Sequence, residues 1–146
     1  MPLPTLTTAG DLPRGVHSAS LGEVLEMFGN STPQRQAVGS RLRRVYELAV
    51  STYEVKRFIV FGSFISGKAA PNDVDVFLVM NNSFDLSAVS GEARLVFDHC
   101  VAQAHFGASV FWLRQLAALP DEARAIAGWE MKRDGNPRGL VEIIGA

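Results

Sequence analysis

At 146 residues, with 47% hydrophobic and 20% charged side chains, the chain has the length of one domain and enough apolar material for one core. Its formal net charge of −1 sets up no overall field for nucleic acid, and its single cysteine, Cys100, excludes an intramolecular disulfide and a multi-cysteine zinc site. No apolar run approaches the ~18 residues of a membrane span, and the N-terminus lacks the basic, apolar and small-residue order of a signal peptide, so a cytoplasmic protein with no membrane association is expected.

Residues 1–19 hold Pro2, Pro4, Pro13, Gly10 and Gly15 with little periodicity and read as an extended, loosely packed arm, leaving 20–146 as the single domain. Ser20-Leu21-Gly22-Glu23 is a capping box that starts a short helix through about Phe28. Thr32 then caps a longer helix with Pro33 at its first position, where a missing N–H costs nothing. Val38, Leu42, Val45, Tyr46 and Ala49 recur along it at helical spacing, which leaves Arg35, Arg41, Arg43 and Arg44 outside. From Arg35 to Lys68 there are seven Lys and Arg against two Glu, a local excess best read as a solvated helix face.

Arg57 to Phe61 is the first predicted strand, Gly62 turns the chain into a short helix to about Gly67, and Asp73 to Met80 is the second strand. Beyond its acidic start this strand is apolar on both sides, as expected inside a covered sheet. Ala93, Val96, Phe97, Cys100, Val101 and Ala104 form one helical stripe, which buries Cys100 and leaves His99 and His105 at the surface. Ala108 to Leu113 is a third strand, and Pro120 opens a short helix with Asp121 and Glu122 in its first turn. A turn at Asp134-Gly135-Asn136-Pro137 predicts a hairpin of 129–133 with 139–144. The fold class is thus α/β (α+β) with a C-terminal β-hairpin, and the direction of the third strand stays open.

Asp73 and Asp75 stand two apart at the head of a strand, so their carboxylates share one face and can converge on one divalent cation. Two acids opening an otherwise apolar strand repel each other and lose solvation unless a cation compensates. Nearby, Gly62 lets backbone approach a phosphate without a Cβ in the way, and Ser63 offers a hydroxyl donor. Lys68 is a candidate phosphate contact from the connecting loop, although a loop lysine is more often solvated. Phe64, Trp112 and Trp129 have the shape to stack on a base but are expected in the core.

Gly62-Ser63, then Asp73-x-Asp75, then Val76 to Met80, resembles the signature of the nucleotidyltransferase superfamily typified by DNA polymerase beta, in particular its minimal single-domain members. A weaker likeness runs through Leu12-Pro13-Arg14-Gly15, the GSF and PNDVDV segments and the terminal RDGNPRGLVEI. It is to small bacterial proteins of that superfamily, some associated with toxin–antitoxin or phage-defence loci. The resemblance implies the nucleotidyltransferase fold, a mixed twisted sheet flanked by helices, and Mg²⁺ (or Mn²⁺) held by Asp73 and Asp75 as catalytic ligands. It also implies an NTP bound at Gly62, Ser63 and Lys68.

The chain departs from that pattern at the third catalytic carboxylate, whose expected place on the next strand is taken by Ser109. Serine supplies neither negative charge nor a base at neutral pH. Three readings stay open: two aspartates suffice, Glu130 or Glu142 substitutes, or the site binds a nucleotide without turning it over as a weakened nucleotide- or partner-binding subunit. A chain this short has no separate acceptor domain, so RNA, a protein partner or a second copy of the chain is expected to complete the acceptor surface.

Overall fold

The structure, a computed structural model, describes residues 3–145. Side-chain caps start the first two helices where the sequence places them. In α1 (Leu21–Phe28) the Ser20 hydroxyl accepts the Glu23 N–H at 3.1 Å, and the Glu23 carboxylate accepts the Ser20 N–H at 3.1 Å. In α2 (Pro33–Val50) Thr32 Oγ1 accepts the Arg35 N–H at 3.1 Å and Pro33 occupies the first turn.

Five strands form one mixed sheet: β1 (Gly15–Ala19), β2 (Val55–Phe61), β3 (Val74–Met80), β4 (Ala108–Arg114) and β5 (Gly139–Ile143), in the order β1-β5-β2-β3-β4. β2 runs antiparallel to β3 and β5, whereas β3 pairs with β4, and β1 with β5, in parallel. The protein is therefore a mixed α/β domain. The two-residue period of the strands separates two apolar faces. Phe58, Val60, Val76, Leu78, Met80 and Val110 face the main core with the apolar stripes of α1, α2, α3 (Glu92–Leu95) and α4 (His99–Phe106). Ile59, Phe61, Phe77, Val79 and Leu140 face the other way, under Ile126 of α5 (Glu122–Ala127) and Trp129 of the 3₁₀ turn that follows. Among the described residues, no helix is long and apolar enough to cross a membrane.

Four expectations are corrected. The arm at 1–19 is not loosely packed throughout: residues 15–19 are strand β1, and Leu12 is buried. The C-terminal hairpin does not form. Leu140, Val141 and Ile143 are buried, with Leu140 on one face of the sheet and the other two on the opposite face. A strand apolar on both faces gains more inside the sheet, and β5 accordingly lies between β1 and β2. Only a Met131 to Pro137 bridge remains of the pairing, and Trp129 packs instead on Phe61 with ring centroids 4.5 Å apart.

The helix expected over 93–104 is two helices, because Asp98 turns extended and its carboxylate caps the Val101 N–H. The break changes the helical phase, so Cys100 is exposed rather than buried. The helix expected after Gly62 contracts to a 3₁₀ turn at Ser63–Ile65.

Candidate functional site

At one end of the thinly covered sheet face, β2, β3 and β4 bring Gly62, Asp75 and Ser109 side by side. Asp75 is the cross-strand partner of Phe61, the residue before Gly62, and on its other side it pairs with Ser109. Asp73 precedes β3 and accepts a hydrogen bond from the Ser109 hydroxyl at 3.0 Å. Because Ser109 is also the cross-strand partner of Asp75, it neighbours both carboxylates. Burial pushes the Asp75 carboxyl up to about 6, and the Asp73 charge adds to this; Arg138, Arg133 and the Ser109 hydroxyl pull the other way. The pair is therefore an electrostatic conflict that a cation would relieve.

Gly62 is required by this packing. Its φ of +86° with ψ of −162° is a conformation essentially limited to glycine, and a methyl group built there would overlap Asp75 Oδ2. Gly62→Ala should destabilise the protein by at least ~2 kcal/mol through strain and displacement of Asp75. Urea unfolding at neutral pH measures this, and a change below ~0.5 kcal/mol would show that the turn has no such constraint.

The loop after Gly62 is held from beneath by Arg35, which lies on the Val38–Leu42–Val45 face of α2 and is 6% exposed, not solvated as its charge suggested. Its guanidinium donates to the carbonyl oxygens of Phe28 at 3.1 Å, Phe64 and Ser66 at 2.7 Å each, and Lys68 at 2.5 Å. Arg41 reaches the Asn72 carbonyl at 3.0 Å, beside Asp73, and Arg44 pairs with Glu92. The basic stretch thus serves mainly to tie this end of α2 to its surroundings.

A cleft of about 500 Å³ opens beside the Gly62-Ser63 turn, with Lys68, Lys132 and Arg138 in its walls and Gly10 and Asp11 of the arm across from them. The arm is fixed there by the Gly67 N–H donating to the Gly10 carbonyl at 2.8 Å and by the Lys132 ammonium on Asp11 at 2.7 Å. Arg138 is half-buried, donates to the Trp129 carbonyl at 2.9 Å and stands 5.0 Å from the centre of the Phe61 ring. A hollow of about 600 Å³ around Thr52, Glu54 and Phe84 lies at the opposite end of the sheet and contains none of the motif residues.

The structure thus brings Gly62, Ser63, Asp73, Asp75 and Ser109 to one place, with Lys68 exposed at the rim of the same cleft. It does not bring the two substitute acids there. Glu142 is gripped by Arg57 through bonds of 2.8 and 2.6 Å, and Glu130 accepts the Gly15 N–H at 2.7 Å. Sequence reasoning overlooked Lys132 and Arg138 as site residues. The basic RDGNPRG segment was the available signal, but only the return of β5 to the middle of the sheet carries it to the cleft. Among the expected core aromatics, Phe64 is fully buried and Trp112 packs edge-on against Phe84 and Phe97. His99 and His105 are exposed, and His105 pairs with Glu92.

Fold and site together define a mixed α/β protein with a carboxylate pair beside a glycine turn and a cation-lined cleft next to that turn. Residues 4–144 match the model of a family of unknown function, DUF6932, and the chain belongs to that family. No curated protein and no solved structure matches it.

Proposed function

We propose that this protein is a Mg²⁺-dependent nucleotidyltransferase of the DNA polymerase beta type, binding an NTP at the Gly-Ser/Asp-x-Asp site and transferring its nucleoside monophosphate to a hydroxyl of an RNA, protein or small-molecule acceptor, which attacks the α-phosphorus and releases pyrophosphate. One observation carries the reading: Asp73 and Asp75 meet at Ser109, directly against a glycine turn whose cleft is lined by three cationic side chains. The donor set suits a hard divalent ion. Two carboxylates, one of them held protonated to about pH 6 by burial and by its neighbour, are compensated by Mg²⁺ or Mn²⁺. Among the described residues no group of three or more His, Cys, Asp and Glu side chains could hold a metal, so substrate phosphate and water oxygens have to complete the shell, as Mg²⁺ commonly requires.

When bound, the ion neutralises charge that grows on the phosphate oxygens during in-line displacement. Asp73 and Asp75 hold it, Gly62 leaves space for the Asp75 carboxylate, and Ser63, Lys68 and Arg138 bind the outer oxygens of the phosphates. Lys132 joins them once it releases Asp11.

Calorimetric titration with each NTP should show binding in Mg²⁺ that EDTA abolishes, and the combined Asp73→Asn and Asp75→Asn changes should weaken it at least tenfold, about 1.4 kcal/mol. Metal-independent affinity that survives both substitutions would refute the site. Transfer itself is read by incubating the protein with labelled NTPs and Mg²⁺ or Mn²⁺ and seeking label on the protein or on added RNA.

A second reading, a nucleotide- or partner-binding subunit with weakened catalysis, is favoured by one specific observation. Ser109 occupies the place beside Asp75 where a third acid would stand, while Glu130 and Glu142 are committed to Gly15 and Arg57. Ser109→Asp should add a charged ligand and tighten Mn²⁺ binding severalfold. Turnover by the wild type excludes the second reading; silence with every NTP, together with binding, supports it.

A further inference from the structure

Phe111 follows Ser109 by two residues on β4, so its ring stands on the same sheet face, about 6.6 Å farther along the strand. It is 36% exposed, while its cross-strand neighbour Phe77 is 4% exposed. Other rings hold it in place. His99 packs on one side with centroids 4.6 Å apart at 35°, and Trp129 on the other at 5.0 Å and 38°. His99 is itself fixed, with Nδ1 3.2 Å from the Val110 carbonyl oxygen on the edge strand of the sheet. Aromatic surface left 36% exposed at Phe111, with exposed His99 beside it, suits a flat, weakly polar partner better than water.

The two flanks of the carboxylate pair differ in chemistry. Toward Gly62 stand Lys68, Lys132 and Arg138. Toward the β4 edge stand Phe111 and His99. A ligand lying across Asp75 and Ser109 meets cations at one end and π-faces at the other, which matches the polarity of a nucleotide, with its phosphates at one end and its base at the other.

Building on the nucleotide reading above, we infer that Phe111 and His99 form a stacking subsite for a nucleobase, supplied either by the bound NTP or by a single-stranded RNA acceptor. The subsite reads the π-face of the base and not its hydrogen-bonding edge, so it tolerates different bases. Phe64, Trp112 and Trp129 keep the core places expected of them, and the stacking surface falls to a residue on the edge strand.

The test compares full-length wild type, Phe111→Ala, Phe111→Trp and His99→Ala in Mg²⁺ by calorimetry. The three ligands are ATP, inorganic tripolyphosphate and a short oligoadenylate. Phe111→Ala should weaken ATP or oligoadenylate roughly tenfold and leave tripolyphosphate unchanged, and Phe111→Trp should retain wild-type affinity. Loss confined to ATP assigns the subsite to the NTP base, and loss confined to oligoadenylate assigns it to the acceptor. Equal affinities for both base-bearing ligands in wild type and Phe111→Ala overturn the inference, as does a matching loss for tripolyphosphate. If Phe111→Ala melts below the assay temperature, His99→Ala carries the same comparison from a surface position. ATP binding in wild type, with both ATP and oligoadenylate affinities left untouched by the variants, defeats the subsite and keeps the proposed function. Oligoadenylate binding that responds to the variants, without any ATP binding, does the reverse; binding of neither ligand defeats both.

Discussion

Asp75→Asn should stabilise the metal-free protein at neutral pH by roughly 2–3 kcal/mol and abolish its response to divalent cations. The folded protein raises this carboxyl from 3.8 to about 6, through burial first and Asp73 second. Between those two values the folded state holds a proton that the unfolded chain has released, so stability falls as pH rises through this window. Above about 6 the loss from this group is complete, the reverse of what a salt-bridged aspartate does. Denaturant unfolding of wild type and variant in EDTA at pH 4.5 and 7.5 measures it: the gap between them should open at the higher pH. Mg²⁺ favours the ionised carboxylate and should raise the melting temperature of wild type but not of Asp75→Asn. A variant less stable than wild type at pH 7.5 in EDTA would show that Asp75 is ionised and well compensated by Arg138 and Arg133 without metal. Gain of stability on loss of a functional carboxylate is the ordinary signature of a site kept for chemistry.

Arg35→Ala should cost about 3–5 kcal/mol, the largest loss expected from any charged side chain here. The guanidinium has no carboxylate partner among its hydrogen bonds; four carbonyl oxygens from two segments, the end of α1 and the loop after Gly62, converge on it. Removing it leaves those acceptors without a donor and opens a cavity between α2 and the loop that follows Gly62. Arg35→Lys keeps the charge but cannot span four acceptors with its fork, and it should recover less than half of the loss. Because the same loop carries Lys68 to the cleft, Arg35→Lys should also loosen nucleotide binding more than its stability change alone accounts for. Chemical denaturation and ATP calorimetry on one sample separate the two effects. A cost below ~1 kcal/mol for Arg35→Ala would mean that water replaces the guanidinium freely.

Much of the site was legible because it is local. The two-residue period of a strand places Asp73 and Asp75 together and Gly62 stood out as a turn at a strand end, whereas its actual reason, room for Asp75, lies across the sheet, and the place of Ser109 followed from the resemblance. The caps at Ser20 and Thr32 were equally readable, since each involves a side chain and an N–H three residues away. Arg35 was misread although its signal was present: it precedes Val38 by three and Leu42 by seven, on the apolar stripe, and only its charge argued against burial. Asp98 likewise has the chemistry of an N-cap, and weighing it would have broken the helix before Cys100.

The strand order, by contrast, belongs to the tertiary structure. Apolar residues on both faces of Gly139–Ile143 favour a covered strand, but nothing local in them says which strands cover it. The choice is made by which pairing buries both faces of β5, and that depends on β1 and β2, more than a hundred and about eighty residues earlier in the chain. The same long-range choice brings Lys132 and Arg138 to the cleft and sets Trp129 beside Phe111. Sequence by itself determined the carboxylate pair and its glycine turn, which short-range geometry dictates. Tertiary structure alone decided which cations and which rings surround them, because burial is a property of the whole sheet.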